Sequence, residues 1–374
     1  MKARIVFIII PLLLLAGCGI PFNRPAVGPN GTIAFFLDES GAYHFMPRRG
    51  TLVLLNNGQL NTVTGVKTTG DCGAVSWSRD GNELVFVDTK PGDWGIPAEW
   101  MINIAAAQTN SQVTVVTRSG TPLISPAFTP TGNVTYMAVD DDGNGHLYLY
   151  DRIEEVTYPL LSDALSYRPA KSGPELWVIK RSDEGSLSMG HLVRYNPETG
   201  DEDEVAEFFL GGDMEEAFLL FPAPFLWDVD PSGRYIALTL FDQALVTPEL
   251  DNQDTSLYLI DVDENAATRI STRGIAPAFS PDGEHLAYIG SEDGKTQSAI
   301  IYTRSTQERI KVPATDEVAG VFWIDAGHLG LIMREQTESS LGAEPGDMSD
   351  EEADSYYLLS FDLGTGTISP LIPN

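Results

Sequence analysis

Basic residues are scarce in this chain: 23 Lys and Arg stand against 53 Asp and Glu, for a net charge of −30 and a pI near 4.3. A nucleic-acid backbone and an anionic membrane surface would both repel such a field, so neither is expected as its main partner. Cysteine is scarcer still. Two residues, Cys18 and Cys72, cannot build a disulfide framework or a multi-thiolate zinc site. The five histidines are scattered, and no G-x-S-x-G, H-E-x-x-H or G-x-G-x-x-G occurs, so the common hydrolase, zincin and dinucleotide signatures are absent. No apolar run is long enough to cross a bilayer as a helix, which takes about 20 residues. What is present is 43% hydrophobic and 9% aromatic residues, enough for a packed core, with 35 Gly and 24 Pro that suit turns and short strands.

The N-terminus carries Lys2 and Arg4, then an apolar stretch from Ile5 to Ala16 interrupted by Pro11. That is the n-region and h-region pattern of a signal peptide. Leu15-Ala16-Gly17-Cys18 resembles the lipobox of bacterial lipoproteins. In that family a diacylglycerol joins the cysteine thiol, and cleavage leaves the cysteine as the new N-terminus. The resemblance implies a signal peptide at 1–17, a lipid-anchored tether at 18–23 and an exported, membrane-bound protein. Removing Lys2 and Arg4 would bring the net charge to about −32. Gly19 after the cysteine favours an outer membrane where the cell has two. Cys72 is expected to be a buried, inert thiol, since no basic neighbour in sequence would lower its pKa.

The chain repeats one unit along its length. PAFSPDGEHLAYI at 277–289 recurs as PAFTPTGNVTYM at 126–137, AVSWSRDGNELVFV at 74–87 and LWDVDPSGRYIALTL at 226–240. Degenerate copies stand at 24–36, 167–179 and 321–333. Each is an apolar strand, a Pro/Asp/Gly turn and a second strand rich in β-branched and aromatic residues. The turn glycines are Gly31, Gly81, Gly132, Gly173, Gly233, Gly283 and Gly327, spaced 41 to 60 residues apart. A third strand follows each pair (TLVLL 51–55, LYLYD 147–151 and AIIYT 299–303 among them), and a more polar fourth comes after it. Such a unit has two apolar sheet faces that it cannot bury alone, and closing a ring of units buries both. The expectation is an all-β, seven-bladed β-propeller of four-stranded antiparallel blades over 24–374, with six blades as the alternative.

The repeat resembles the TolB-type, WD-like propeller repeat, strongly in blades 2, 3, 5 and 6 and weakly in the others. TolB carries a separate α/β domain before its propeller, for which this chain has no room, so TolB's partnerships are not carried over. One helix is plausible, near Met214–Leu220.

With the strands of a blade named A to D from the axis outward, the A–B turns are uniformly tight, whereas the long insertions fall on the opposite face, at 38–50, 88–100, 210–225, 242–256 and 335–355. Function gathers on such loops. His44 with Arg48 and Arg49 forms the main basic cluster, and Trp94 and Trp100 flank the 88–100 insertion. These five are the candidate binding residues, the tryptophans as anchors or as packing for their own loop. The 335–355 loop holds eight acidic residues in 21, a solvated segment.

Asp140-Asp141-Asp142-Gly143-Asn144 fits the start of a calcium loop, making Asp140, Asp142 and Asn144 the one candidate metal site. The strand at 147–151 would carry the twelfth-position carboxylate, Asp151, about 16 Å away, and a polar turn explains the same residues. No other cofactor is implied. Together these readings describe a lipid-anchored envelope propeller that binds an envelope protein or a cationic ligand on its loop-rich face. The alternative is a lactonase- or glycosidase-type hydrolase with an axial metal.

Overall fold

The computed structural model describes residues 24–372, apart from 39, 44–48, 71, 93–95, 109–110, 172, 183–188, 211–225, 242–254, 292–296 and 336–355. Those residues form seven four-stranded antiparallel sheets, each consecutive in sequence, with no helix among them. Blade 1 is β1 (Ala26–Val27), β2 (Ile33–Leu37), β3 (Thr51–Asn56) and β4 (Gln59–Thr62). Blade 2 is β5 (Cys72–Trp77), β6 (Glu83–Lys90), β7 (Glu99–Ala106) and β8 (Gln112–Ser119). Blade 3 is β9 (Leu123–Phe128), β10 (Val134–Val139), β11 (Gly145–Asp151) and β12 (Val156–Leu161). Blade 4 is β13 (Ala164–Pro169), β14 (Leu176–Ser182), β15 (Met189–Tyr195) and β16 (Glu202–Phe209). Blade 5 is β17 (Trp227–Val229), β18 (Tyr235–Phe241), β19 (Thr255–Asp261) and β20 (Ala266–Ser271). Blade 6 is β21 (Gly274–Phe279), β22 (His285–Gly290), β23 (Ser298–Thr303) and β24 (Arg309–Lys311). Blade 7 is β25 (Glu317–Trp323), β26 (His328–Arg334), β27 (Tyr356–Asp362) and β28 (Thr367–Pro370). The chain is a seven-bladed propeller. The helix expected near Met214–Leu220 lies outside the described residues.

The repeated turn has one chemistry. In blades 1, 2, 3, 5 and 6 the turn glycine donates its N–H to the carbonyl three residues earlier, as Gly81 does to Ser78 at 3.0 Å and Gly283 to Ser280 at 2.9 Å. These glycines sit at φ between 71° and 87°, where a side chain would be strained. In the Ser-x-Asp-Gly copies Ser280 Oγ also donates to Asp282 and accepts from the His285 N–H, so the turn is tied on both sides.

Burial follows the blades. Seven apolar clusters each span one junction between neighbouring blades, which is why a single blade could not stand alone. The cluster between blades 7 and 1 contains Phe35, Tyr43, Val53, Phe322, Ile332 and Leu358. Among the described residues no strand is exchanged between the first and last blades, so this packing helps to close the ring. It is helped by a backbone bridge between Tyr43 and Tyr356.

The 88–100 insertion is shorter than the sequence suggests, because β6 and β7 pair as far as Lys90 with Glu99, with Thr89 opposite Trp100. Trp100 is therefore in a ladder and 2% exposed, packed in the core between blades 2 and 3. It offers no surface to a ligand.

Candidate functional site

The innermost strands surround a channel of about 720 Å³. Its lining includes Gly28, Pro29, Pro169, Lys171, Pro281 and Asp325 from the A–B turns, so it opens on the face of the tight turns. Aligning the blades on their turns shows how the channel is made. The first inner position reads Arg24, Ala74, Ser125, Ser166, Leu226, Ala276 and Gly320 around the ring. The second, two residues on, reads Ala26, Ser76, Ala127, Arg168, Asp228, Ala278 and Phe322. Small residues dominate both positions and leave the axis open. Ala74, Ser125 and Ala276 adopt φ of 50° to 52° beside register shifts in their strands, a bulge that bends three inner strands alike.

Three charges break this pattern. Arg168 Nη1 lies 3.1 Å from Asp228 Oδ1, and Arg168 Nη2 donates to the Trp227 carbonyl at 3.1 Å. Asp228 also accepts the N–H of Val229 at 2.8 Å and that of Phe279, in blade 6, at 2.7 Å. One carboxylate thus ties blades 4, 5 and 6 together. Arg24 enters from the other side of the ring and donates from Nη2 to the Val321 carbonyl at 2.7 Å. Arg24 Nη1 and Arg168 Nε are buried and have no partner among the described residues. Burial and the neighbouring Arg168 pull Arg24 down to about 10, and burial likewise lowers Arg168. Both stay protonated at neutral pH. The centre of a strongly acidic protein is cationic.

A second cleft of about 220 Å³ between blades 4 and 5 shares Arg168, Pro169, Lys171 and Asp228 with the channel. The two spaces meet at the Arg168–Asp228 pair.

The residues singled out from sequence are not gathered at this site. Cys18, His44, Arg48 and Trp94 lie outside the described residues. Arg49 is exposed on the blade 1 insertion, with its N–H bonded to the Gly70 carbonyl. Asp140 Oδ1 accepts the N–H groups of Asp142 and Asn144 at 3.0 and 2.8 Å, and its Oδ2 faces His146 Nε2 at 3.0 Å. Partial burial alone would raise the Asp140 pKa, but these hydrogen bonds together hold it below the usual carboxylate range. Asn144 Oδ1 is occupied by the Arg181 guanidinium at 2.6 Å. Asp151, at the far end of β11, accepts from Ile153 and Glu154 in the next turn. The side-chain oxygens of Asp140, Asn144 and Asp151 are therefore engaged in turns and in an arginine contact.

Nor does the channel suit an axial metal. Its inner ring supplies one carboxylate, already bonded to three donors, and among the described residues no three His, Cys, Asp or Glu are grouped to hold an ion.

Sequence reasoning missed Arg24, Arg168 and Asp228. The signal was there: blades 1, 4 and 5 place a charge at inner positions that are Ala, Ser or Gly in most other copies.

No protein-family model matches the chain, and no curated protein matches it in sequence. Solved structures resemble it in fold. The propeller domain of the Trilobed protease from Pyrococcus furiosus, which has an open velcro topology, is 12% identical with a TM-score of 0.59, over 94% of this chain and 95% of that one. TolB from Acinetobacter baumannii is 18% identical with a TM-score of 0.51, over 77% of this chain and 64% of TolB. The uncomplexed acylaminoacyl peptidase from Pyrococcus horikoshii is 11% identical with a TM-score of 0.60, over 96% of this chain and 54% of the peptidase. The chain thus spans less than two thirds of TolB and about half of that peptidase. At such identities the likeness establishes the architecture, a propeller of the kind found in TolB and in these proteases.

Proposed function

We propose that this protein is a non-catalytic binding module of a bacterial cell envelope, anchored through Cys18, that takes its ligand at the axial channel. The observation that carries this reading is an open channel with buried guanidinium nitrogens of Arg24 and Arg168 that have no partner among the described residues. A ring built only for stability would keep small residues there, as most other blades do.

The anchor sets the orientation. Strand β1 runs toward the A–B turn at Gly31, so the chain enters it from the opposite face. The six steps from Cys18 to Arg24 span at most about 20 Å. A lipid on Cys18 would hold the loop-rich face near the bilayer and turn the channel mouth away from it. Anionic lipid would repel that acidic face within a screening length of about 8 Å. Its neighbour there would be a membrane protein or a cationic envelope component.

Two variants of the full-length protein in its own membrane test this reading. Cys18→Ser should leave the membrane fraction or remain unprocessed. Ala127→Trp, which fills the channel, should lose at least one of the crosslinked neighbours that the parent captures and keep those of the loop-rich face. If Cys18→Ser stays membrane-bound and is processed normally, the anchor is wrong. If Ala127→Trp melts normally and captures the same neighbours, the channel is not the site.

A further inference from the structure

We infer that the axial channel is a carboxylate-binding site in which Arg24 and Arg168 clamp one carboxylate of the ligand. The inference rests on the channel being the binding site and adds what it binds.

Four observations support it. First, Arg24 and Arg168 both line the channel, and one guanidinium nitrogen of each, Nη1 and Nε, has no partner among the described residues. Charge-assisted hydrogen bonds from a guanidinium to a carboxylate are among the stronger ones. Buried donors of this kind are costly to leave unmade, so an acceptor in the channel is favourable. Second, the charge count at the centre selects the ligand. Two guanidiniums face one carboxylate, and Asp228 already accepts from Arg168, Val229 and Phe279. The centre therefore carries one net positive charge, which a monoanion neutralises. A phosphate dianion would leave an excess negative charge inside a protein that already carries −30.

Third, the two arginines reach the channel from different blades, and each is held from behind. Arg24 is fixed by the Val321 carbonyl and Arg168 by Asp228 and the Trp227 carbonyl. Both are organised before a ligand arrives, which lowers the ordering cost of binding. Fourth, the wall around them is small and apolar, with Ala74, Ala127, Ala276 and Gly320 leaving room, while Pro29 and Pro281 rim the mouth. Such a wall accepts an uncharged body behind the carboxylate. A peptide C-terminus and a small aliphatic acid share this chemistry.

Calorimetry with the full-length protein in detergent separates the possibilities. The probes are N-acetyl-tetra-alanine as the free acid, the same peptide as its C-terminal amide, sodium hexanoate and inorganic phosphate. The free acid or hexanoate should bind, with the amide at least tenfold weaker than the acid and phosphate weaker than either. Binding of the peptide acid alone points to a peptide C-terminus, and binding of hexanoate alone to a small acid. Arg24→Gln, and the pair Arg168→Ala with Asp228→Ala, should each weaken binding about tenfold or more. Thermal melting shows whether those variants remain folded, and the acid–amide comparison needs no variant at all.

Acid and amide binding alike, phosphate binding tighter than the acids, or undiminished binding in the folded variants would overturn the carboxylate assignment. So would no binding of any probe at millimolar concentration. The channel itself is judged separately, by whether Ala127→Trp loses at least one captured neighbour. The two ideas can therefore fail independently.

Discussion

Arg24 donates to the carbonyl of Val321 at 2.7 Å, joining the first described residue of the propeller to the inner strand of its last blade. Every blade is consecutive in sequence, so this contact, the Tyr43–Tyr356 bridge and the apolar cluster around Phe35 and Phe322 hold the closing junction. Elsewhere the inner strands are tied by similar bonds. Trp77 Nε1 donates to the Ala26 carbonyl, Trp323 Nε1 to that of Ala278, and the Tyr167 hydroxyl to that of Ser125.

Removing the Arg24 contact should loosen that junction first. Arg24→Ala is expected to cost about 1.5–3 kcal/mol, the range for a hydrogen bond involving a charged group. Hydrogen exchange should quicken in β2 and β26 before it does in β10 or β14. Uniform exchange across all blades would mean that the junction is not the weak point.

The Arg168–Asp228 pair makes a sharper prediction. Asp228→Ala leaves a partly buried guanidinium without its carboxylate and should cost about 3 kcal/mol. Arg168→Ala should also destabilise, by less, since Asp228 keeps two backbone donors. The double variant restores the small residue found at this position in blades 1, 2, 3 and 6. It should be more stable than Asp228→Ala alone. Additive losses in a double-mutant cycle would show that the two side chains are not coupled.

Asp88 gives a pH signature. It is 1% exposed, and burial raises its pKa to about 6 against the N–H groups of Thr69, Gly70 and Thr89. Between about pH 4 and pH 6 the folded chain keeps a proton here that the unfolded chain has released. This residue's contribution therefore falls as pH rises through that window. Carboxylates such as Asp282 and Asp362, held below the usual range, act in the opposite sense at lower pH. The comparison of parent with Asp88→Asn isolates the effect. The stability advantage of the parent should shrink from pH 4 to pH 6, and a constant difference would refute the assignment.

Calcium at millimolar concentration should move the melting temperature by less than about 1 °C, because Asp140 and Asn144 already have partners. A larger shift, abolished by Asp142→Ala, would show that the turn can open to take the ion.

The blade repeat was legible because it is local. A Ser-Pro-Asp-Gly turn between two apolar strands is written in about a dozen consecutive residues, and hydrogen bonds within one blade suffice to form it. The number of blades followed from counting turns, down to the degenerate copy at Gly327, whose N–H turns back to the Asp325 side chain. The reach of a hairpin was less legible. Lys90 and Glu99 end the ladder as an ion pair, but in a chain with 53 acidic residues an opposite-charge pair does not by itself mark a cross-strand partner.

The site divides along the same line. By itself the sequence determined a ring of seven similar sheets, the turn chemistry and the acidic character of the chain, all properties of neighbouring residues or of composition. Only the tertiary structure decided that Arg24, Arg168 and Asp228, from blades 1, 4 and 5, share one channel. Ring closure is the physical reason. It brings the same inner position of every blade to a common axis, so residues some 200 apart in sequence become neighbours while those two apart face the same space.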